Sequence, residues 1–291
     1  MNGLKNKLNN KQFVTTVEID PPKGASPWIV YEKMKNLKGV VDAVNIADCP
    51  MGKMRMSPIA LAHLVQKELQ LEAIFHLTCR DRNVIGLQSE LLGAYALGVK
   101  NILTLTGDKP ENGDHPEAKG VFELDSTGLI KLANTLNQGT DMMGNNLNEA
   151  TEFFIGGVAN PTATDLEIEV SKVEAKIDSG VNFFQTQPIF DINSLEHFLT
   201  KINDTSAHFI YGLMPLKSVK LAQYLNKNVP GIVVPDKIID RLQLKGREAG
   251  LEIAKELYLE LKKMVPGVHI FPMGDVPLIE ELLQEQGNGK G

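Results

Sequence analysis

Several things are scarce in this sequence, and each scarcity excludes something. Only two cysteines, Cys49 and Cys79, occur in 291 residues. No disulfide framework can staple such a chain, and reduced thiols in a cytoplasmic setting are the simpler expectation. No run of about 18 apolar residues exists to form a membrane-spanning helix. The first eleven residues are polar and lack the apolar core of a secretion signal. Lys and Arg never gather on one segment, and the net charge of −6 speaks against a nucleic-acid partner. Repeats at solenoid periods are missing. So are a Gly-x-Gly-x-x-Gly dinucleotide fingerprint, a phosphate-binding Walker loop and the His-Glu-x-x-His spacing of a zinc site. His63, His115 and His197 read as surface or loop histidines. Cys49 and Cys79 fall on adjacent strand ends, so a metal or redox pair there is the alternative to plain thiols.

What is present is a regular alternation. Short β-branched runs near residues 13–19, 41–46, 73–77, 101–106, 153–159, 183–186, 208–213 and 268–271 predict eight strands. Between them, amphipathic stretches predict helices near 28–37, 58–69, 84–97, 127–136, 166–177, 195–202 and 219–225. A long helix or a pair is expected over 236–264, and a closing helix over 277–284. Residues 287–291 read as a frayed tail. The strand runs are continuously apolar rather than alternating, as parallel strands covered on both faces require. Strict β–α alternation without a domain-sized linker points to one (β/α)8 barrel over residues 1–291, with an open doubly wound sheet as the rival. A barrel of this kind uses about 250 residues.

Chemistry in such barrels collects at the C-terminal ends of the strands. Those ends carry Glu18, Asn45, His76, Asp108, Asn160 and Gln187. Any one of them could serve as a helix cap or turn residue. Glu18, His76 and Gln187 stand out, because each is isolated in apolar strand sequence, where a polar group without a partner is costly. Gly156-Gly157, inside a strand, reads as a place of close packing or backbone approach to a ligand.

Six segments then carry a resemblance to a known family. They are Val17-Glu18-Ile19-Asp20-Pro21-Pro22, His76-Leu77-Thr78-Cys79, Thr104-Leu105-Thr106-Gly107-Asp108, Lys176-Ile177-Asp178-Ser179-Gly180, Thr186-Gln187-Pro188-Ile189-Phe190-Asp191 and Gly212-Leu213-Met214-Pro215. In this order, at the ends of the expected elements, they resemble the methylenetetrahydrofolate reductases, in variants similar to those of anaerobic and Gram-positive bacteria. The resemblance implies a non-covalent flavin, FAD or FMN, and reduction of 5,10-methylenetetrahydrofolate to the methyl level. By position Glu18 matches the general acid, Asp108 the acidic residue between flavin and pterin, and Gln187 the amide that binds the pterin. His76, Thr106, Gly107 and Asp108 fall where the family contacts the flavin, as do Ala159, Asn160 and Lys176. Asn45 stands where a hydroxyl residue helps bind reduced nicotinamide.

The sequence also departs from that pattern. Ile19-Asp20 replaces two aromatic residues, and the extra acid either raises the pKa of Glu18 or faces solvent. Thr106 replaces an arginine, Val219 replaces a stacking phenylalanine, and the last strand lacks an arginine that some relatives carry. These changes weaken the case for direct use of NADH. They point instead to electrons arriving through a partner subunit or a ferredoxin-like donor, in a homo-oligomer or a heteromeric complex. Two rival functions stay open: a non-catalytic subunit of such a complex, and a flavin-free pterin-binding methyltransferase barrel. The pathway, methionine synthesis or carbon fixation, is left open as well.

Overall fold

The computed structural model describes residues 3–202, 205–229 and 231–283; the expected tail at 287–291 lies outside them. Eight parallel strands close into a barrel in sequence order. They are β1 (Val14–Ile19), β2 (Ala43–Ile46), β3 (Ala73–Thr78), β4 (Asn101–Leu105), β5 (Phe154–Ala159), β6 (Phe183–Pro188), β7 (His208–Leu213) and β8 (Gly267–Ile270). β8 returns to β1 through the register Thr16↔His269. The open-sheet alternative is thereby excluded.

A helix α1 (Leu4–Asn9) precedes the barrel. The outer ring then comprises α2 (Trp28–Met34), α3 (Pro58–Leu69), α4 (Val84–Ala96), α5 (Ser126–Asn137), α6 (Leu166–Asp178) and α7 (Ile192–Lys201). Between β7 and β8 run α8 (Val219–Asn228), α9 (Asp236–Lys245) and α10 (Arg247–Met264), and α11 (Pro277–Leu283) closes the described chain. The expected long helix over 236–264 is a pair broken at Gly246. Polar side chains start the helices that follow the strands: Asp125, Asp165 and Asp191 each accept an N–H from the first turn, which satisfies donors that have no partner within the helix. No described helix is long and apolar enough to cross a membrane.

Two apolar layers follow from the period of two along each strand. Outward-facing residues such as Val17, Val44, Phe75, Ile102 and Phe184 pack against the helices in the main core. Inward-facing Val14, Ala43, Ile74, Leu103, Phe154, Phe183 and Ile210 fill the lower half of the barrel. Gly156 belongs to that fit: a Cβ there would lie 2.4 Å from the Phe183 ring. The Gly156-Gly157 pair thus serves close packing at Gly156, and Phe183 stacks on Phe154 with centroids 4.9 Å apart.

Helix α1 is the element that sequence reading missed. Leu4 and Leu8, four residues apart and so on one face, are 0% and 1% exposed and join the interior cluster. The helix is tied down by the Leu4 N–H on Glu72 (2.8 Å) and by an ion pair between Lys7 and Asp42. It therefore plugs the N-terminal end of the barrel. Leu8→Ala is expected to cost about 2–5 kcal/mol, the range for a buried leucine that leaves a cavity, read as a lower urea midpoint at unchanged m-value.

Candidate active site

Along β1 the inward positions after Val14 are Thr16 and Glu18; the same alternation turns Asn45, His76, Gln185 and His269 into the barrel. These side chains form a polar layer above the apolar plug, and they satisfy one another. The Asn45 amide donates to Gln185 Oε1 at 2.5 Å and to His76 Nε2 at 3.0 Å. Gln185 Nε2 donates back to Asn45 Oδ1 at 3.1 Å and on to Thr16 Oγ1 at 3.4 Å. Thr16 Oγ1 meets His269 Nδ1 at 2.9 Å. Burial holds both imidazoles neutral: the pKa of His76 falls to about 4 and that of His269 to about 3.

Above this layer opens a cavity of about 260 Å3. Leu103, Leu105, Val158 and Phe271 give it apolar walls, while Glu18, His76, Asp108, Gln187 and His269 supply polar groups. Glu18 stands at the floor with its side chain 29% exposed and Oε2 4.0 Å from His269 Nε2. Desolvation first, and then the charge of Asp20, raise its pKa to about 7. Asp20 is itself exposed, so both effects expected of the extra acid occur together.

The other charges of the cavity are largely spent. Asp48 accepts from the Thr78 N–H and hydroxyl at 2.9 Å each and pairs with Arg82 at 2.8 Å. Arg80 is bound to Asp81 and to the carbonyls of Cys49 and Asp48. Asp108 sits at the rim and accepts the Met51 N–H at 3.0 Å; no ion pair to it exists among the described residues. Its bond to Met51 joins the loop after β2 to the loop after β4, and Gly52 and Gly113 pass so close there that a Cβ on Gly113 would lie 1.9 Å from Gly52 O.

A second cleft of about 580 Å3 adjoins the first at Gly107, with Thr106, Lys109, Phe122, Leu124 and Asp125 along its walls. Gly107 has φ +93°, and a Cβ there would press on Thr78 and Arg80 at 3.0 and 3.1 Å. Only glycine suits that corner. Lys176, buried on α6, donates to the carbonyl of Val158, a residue of the first cavity's wall, at 2.6 Å. Desolvation lowers its pKa.

Glu18, His76, Gly107, Asp108 and Gln187 thus come together at one cavity, and Thr106 borders the adjoining cleft. Thr106 also accepts the Ser126 N–H, helping to start α5. Asn45 is not brought to the cavity wall, because both ends of its amide are bound within the layer below. Ala159 follows Val158 and faces the outer core. Asn160 forms a turn, its N–H on Glu169 and its Oδ1 accepting from Thr162. Cys49 and Cys79 are both free and turn to different partners, Arg55 and Asp125. Gln185 and His269 were not singled out in the sequence, although each is a polar residue in an apolar strand, the same signal that marks His76.

The chain matches the methylenetetrahydrofolate reductase family over residues 3–287. It belongs to that family. Methylenetetrahydrofolate reductase 1 of Schizosaccharomyces pombe is 22% identical over 78% of this chain and 38% of its own length. The 5,10-methylenetetrahydrofolate reductase of Pectobacterium carotovorum is 26% identical over 55% of this chain and 49% of its own. The chain therefore spans less than half the length of these relatives. A Clostridium thermocellum protein that binds two copies of 5-methyl-5,6,7,8-tetrahydrofolic acid shares the fold, with a TM-score of 0.66 over 97% of this chain and 99% of that one at 16% identity.

In this reductase-family chain the raised Glu18 pKa has a consequence for stability. Below the unfolded pKa of 4.5 both states carry the proton and folding costs nothing extra. Between there and about 7 the unfolded chain ionises while the folded one does not, so Glu18 increasingly opposes folding as pH rises. Glu18→Gln removes that opposition. Its melting temperature relative to wild type is expected to climb from pH 4.5 to 7 and then level off; a difference independent of pH would contradict the raised pKa.

Proposed function

We propose that this protein reduces 5,10-methylenetetrahydrofolate to 5-methyltetrahydrofolate, with Glu18 as the general acid. The observation that carries the reading is a carboxyl of pKa about 7 at the floor of a cavity that also presents Gln187 and Asp108. A general acid must still hold its proton at working pH, and an ordinary glutamate does not. In the proposed step Glu18 delivers its proton to N10 of the folate. The C–N10 bond breaks with its electron pair going to N10, which leaves an N5 iminium and a Glu18 carboxylate. Asp108 stabilises the cationic iminium electrostatically. Gln187, with both donor and acceptor, binds the pterin edge. The folate bound by the C. thermocellum protein of the same fold supports a folate here.

The family relationship implies a flavin, and the residues present fit one. Leu103, Leu105 and Val158 offer apolar wall to a planar ring, and the adjoining cleft past Gly107 offers room for a polar tail. Thr106, Gly107, Lys176 and His76 would hold it, with Lys176 tied to β5 through the Val158 carbonyl. When bound, a reduced flavin supplies the hydride that converts the methylene to the methyl level. FAD is the proposed form. The absence of an arginine at Thr106 and of an aromatic at Val219 supports an electron donor other than free NADH, a partner subunit or a ferredoxin.

The test is a visible spectrum followed by anaerobic addition of methyltetrahydrofolate. Flavin absorbance that bleaches is expected, and Glu18→Gln is expected to bind the folate yet slow bleaching by about 10²–10⁴-fold, the usual worth of a general acid. A protein that stays colourless after reconstitution with FAD would move the reading to a non-catalytic subunit. Mixed with NADH alone in a stopped-flow cell, the flavin is expected to be reduced far more slowly than it exchanges hydride with folate; fast reduction would remove the case for a partner donor.

A further inference from the structure

We propose that Thr186 is a positioning residue for the folate-binding amide: its buried hydroxyl clasps a β-bulge in β6, and the bulge holds Gln187 in the cavity. This rests on the reading of Gln187 as the group that binds the pterin edge.

The register between β6 and β7 shows the bulge. Gln185 stands beside Ile210, but Pro188, not Gln187, stands beside Gly212. β6 thus advances three residues where β7 advances two, and one residue is extra. In an unbroken ladder Gln187 would pair with Gly212, and the alternation of the strand would set its direction. Here Gln187 belongs to the bulge, and the bulge sets it instead.

Several features hold the bulge in place. Thr186 Oγ1 accepts the Gly212 N–H at 2.9 Å, a donor that a regular parallel ladder would send to a carbonyl of β6. The same hydroxyl donates to the Gln187 carbonyl at 2.9 Å. Both directions are fixed, since a peptide N–H only donates and a carbonyl only accepts. Gly212 makes the room: a Cβ there would lie 2.6 Å from the carbonyl oxygens of both Thr186 and Gln187. The β6 backbone therefore occupies space that a β7 side chain would otherwise fill. Pro188 has no N–H, so the shifted register strands no donor there. The ladder resumes at once, with the Ile189 N–H on Gly212 O at 2.9 Å.

The hydroxyl is the part with no substitute. Thr186 is 2% exposed, and a buried N–H left without an acceptor is costly. Valine has nearly the same shape but neither donor nor acceptor, so Thr186→Val strands the Gly212 N–H and releases the Gln187 carbonyl. An amide that must be ordered on binding holds its ligand less tightly than one already in place. Thr186 lines the same cavity as Gln187, yet its proton is committed to the backbone. It acts through Gln187.

The test is a double-mutant cycle on methyltetrahydrofolate affinity, measured anaerobically by calorimetry. It compares wild type, Thr186→Val, Thr186→Ser, Gln187→Ala and the Thr186→Val/Gln187→Ala double variant. Thr186→Val should weaken binding about tenfold, the effect of one misplaced hydrogen-bonding group. Thr186→Ser keeps the hydroxyl and should bind nearly as wild type does. In the Gln187→Ala background Thr186→Val should cost nothing further, because the group it positions is gone. Additive losses, wild-type affinity in Thr186→Val, or no recovery in Thr186→Ser would overturn the clasp.

Should Thr186→Val fail to fold, Thr186→Ala takes its place in the cycle, since the smaller side chain leaves room for a water on the Gly212 N–H. Hydrogen exchange of that amide, slow in wild type, should quicken in Thr186→Ala; unchanged exchange would overturn the clasp. Gln187→Ala alone reports on the reading beneath. Wild-type affinity there would overturn Gln187 as the pterin-binding group and the clasp's purpose with it, whereas weakened binding there beside additive losses overturns the clasp alone.

Discussion

Five polar side chains buried in one layer of a closed barrel impose the constraint on which the rest of the site depends. Thr16, Asn45, His76, Gln185 and His269 are all within 5% of full burial, where an unpaired donor or acceptor costs more than a formed hydrogen bond returns. The layer is stable only if its members satisfy one another, and that requirement dictates tautomers, amide orientations and the height of each strand relative to the next. Glu18 sits one step above this layer. Its surroundings are therefore set by a rigid floor rather than by mobile loops.

The electrostatics of the cavity follow from the same arrangement. Arg80 cancels against Asp81, and Arg82 against Asp48, within a network of their own. What remains facing a ligand is a protonatable carboxyl below and a carboxylate at the rim, Asp108, with no cation at liberty between them among the described residues. Such a cavity resists an anion and welcomes positive charge that develops after the ligand is seated. A neutral substrate that becomes a cation at its reacting carbon gains more from it than one that is charged on arrival.

Much of this was legible in the sequence, for definite reasons. Continuous apolar runs separated by amphipathic stretches encode parallel strands and their covering helices, and the closed barrel follows from their count and order. Glu18, His76 and Gln187 were legible because a lone polar residue in an apolar strand has few uses. Gln185 and His269 carry the same signal but were passed over. Their meaning depends on which residues of distant strands lie at one height, and Thr16 and His269 meet across 253 positions. Asn45 and Ala159 show what family position alone does not determine. Family position brings their backbone to the strand ends, yet strand alternation and competing hydrogen bonds turn their side chains to other tasks. Helix α1 was not visible because only two leucines in six residues betray it, and their partners lie in seven different strands.

That small helix also governs how molecules come and go. With Leu4 and Leu8 filling the lower end of the barrel and a layer of paired side chains above them, the cavity is closed from below, and its doorway lies at the strand ends where Asp108 and Gln187 stand. Whatever enters must leave by the way it came. Two visitors that need the same wall cannot pass each other inside, so an exchange between them has to be made by turns, each departure clearing the doorway for the next arrival.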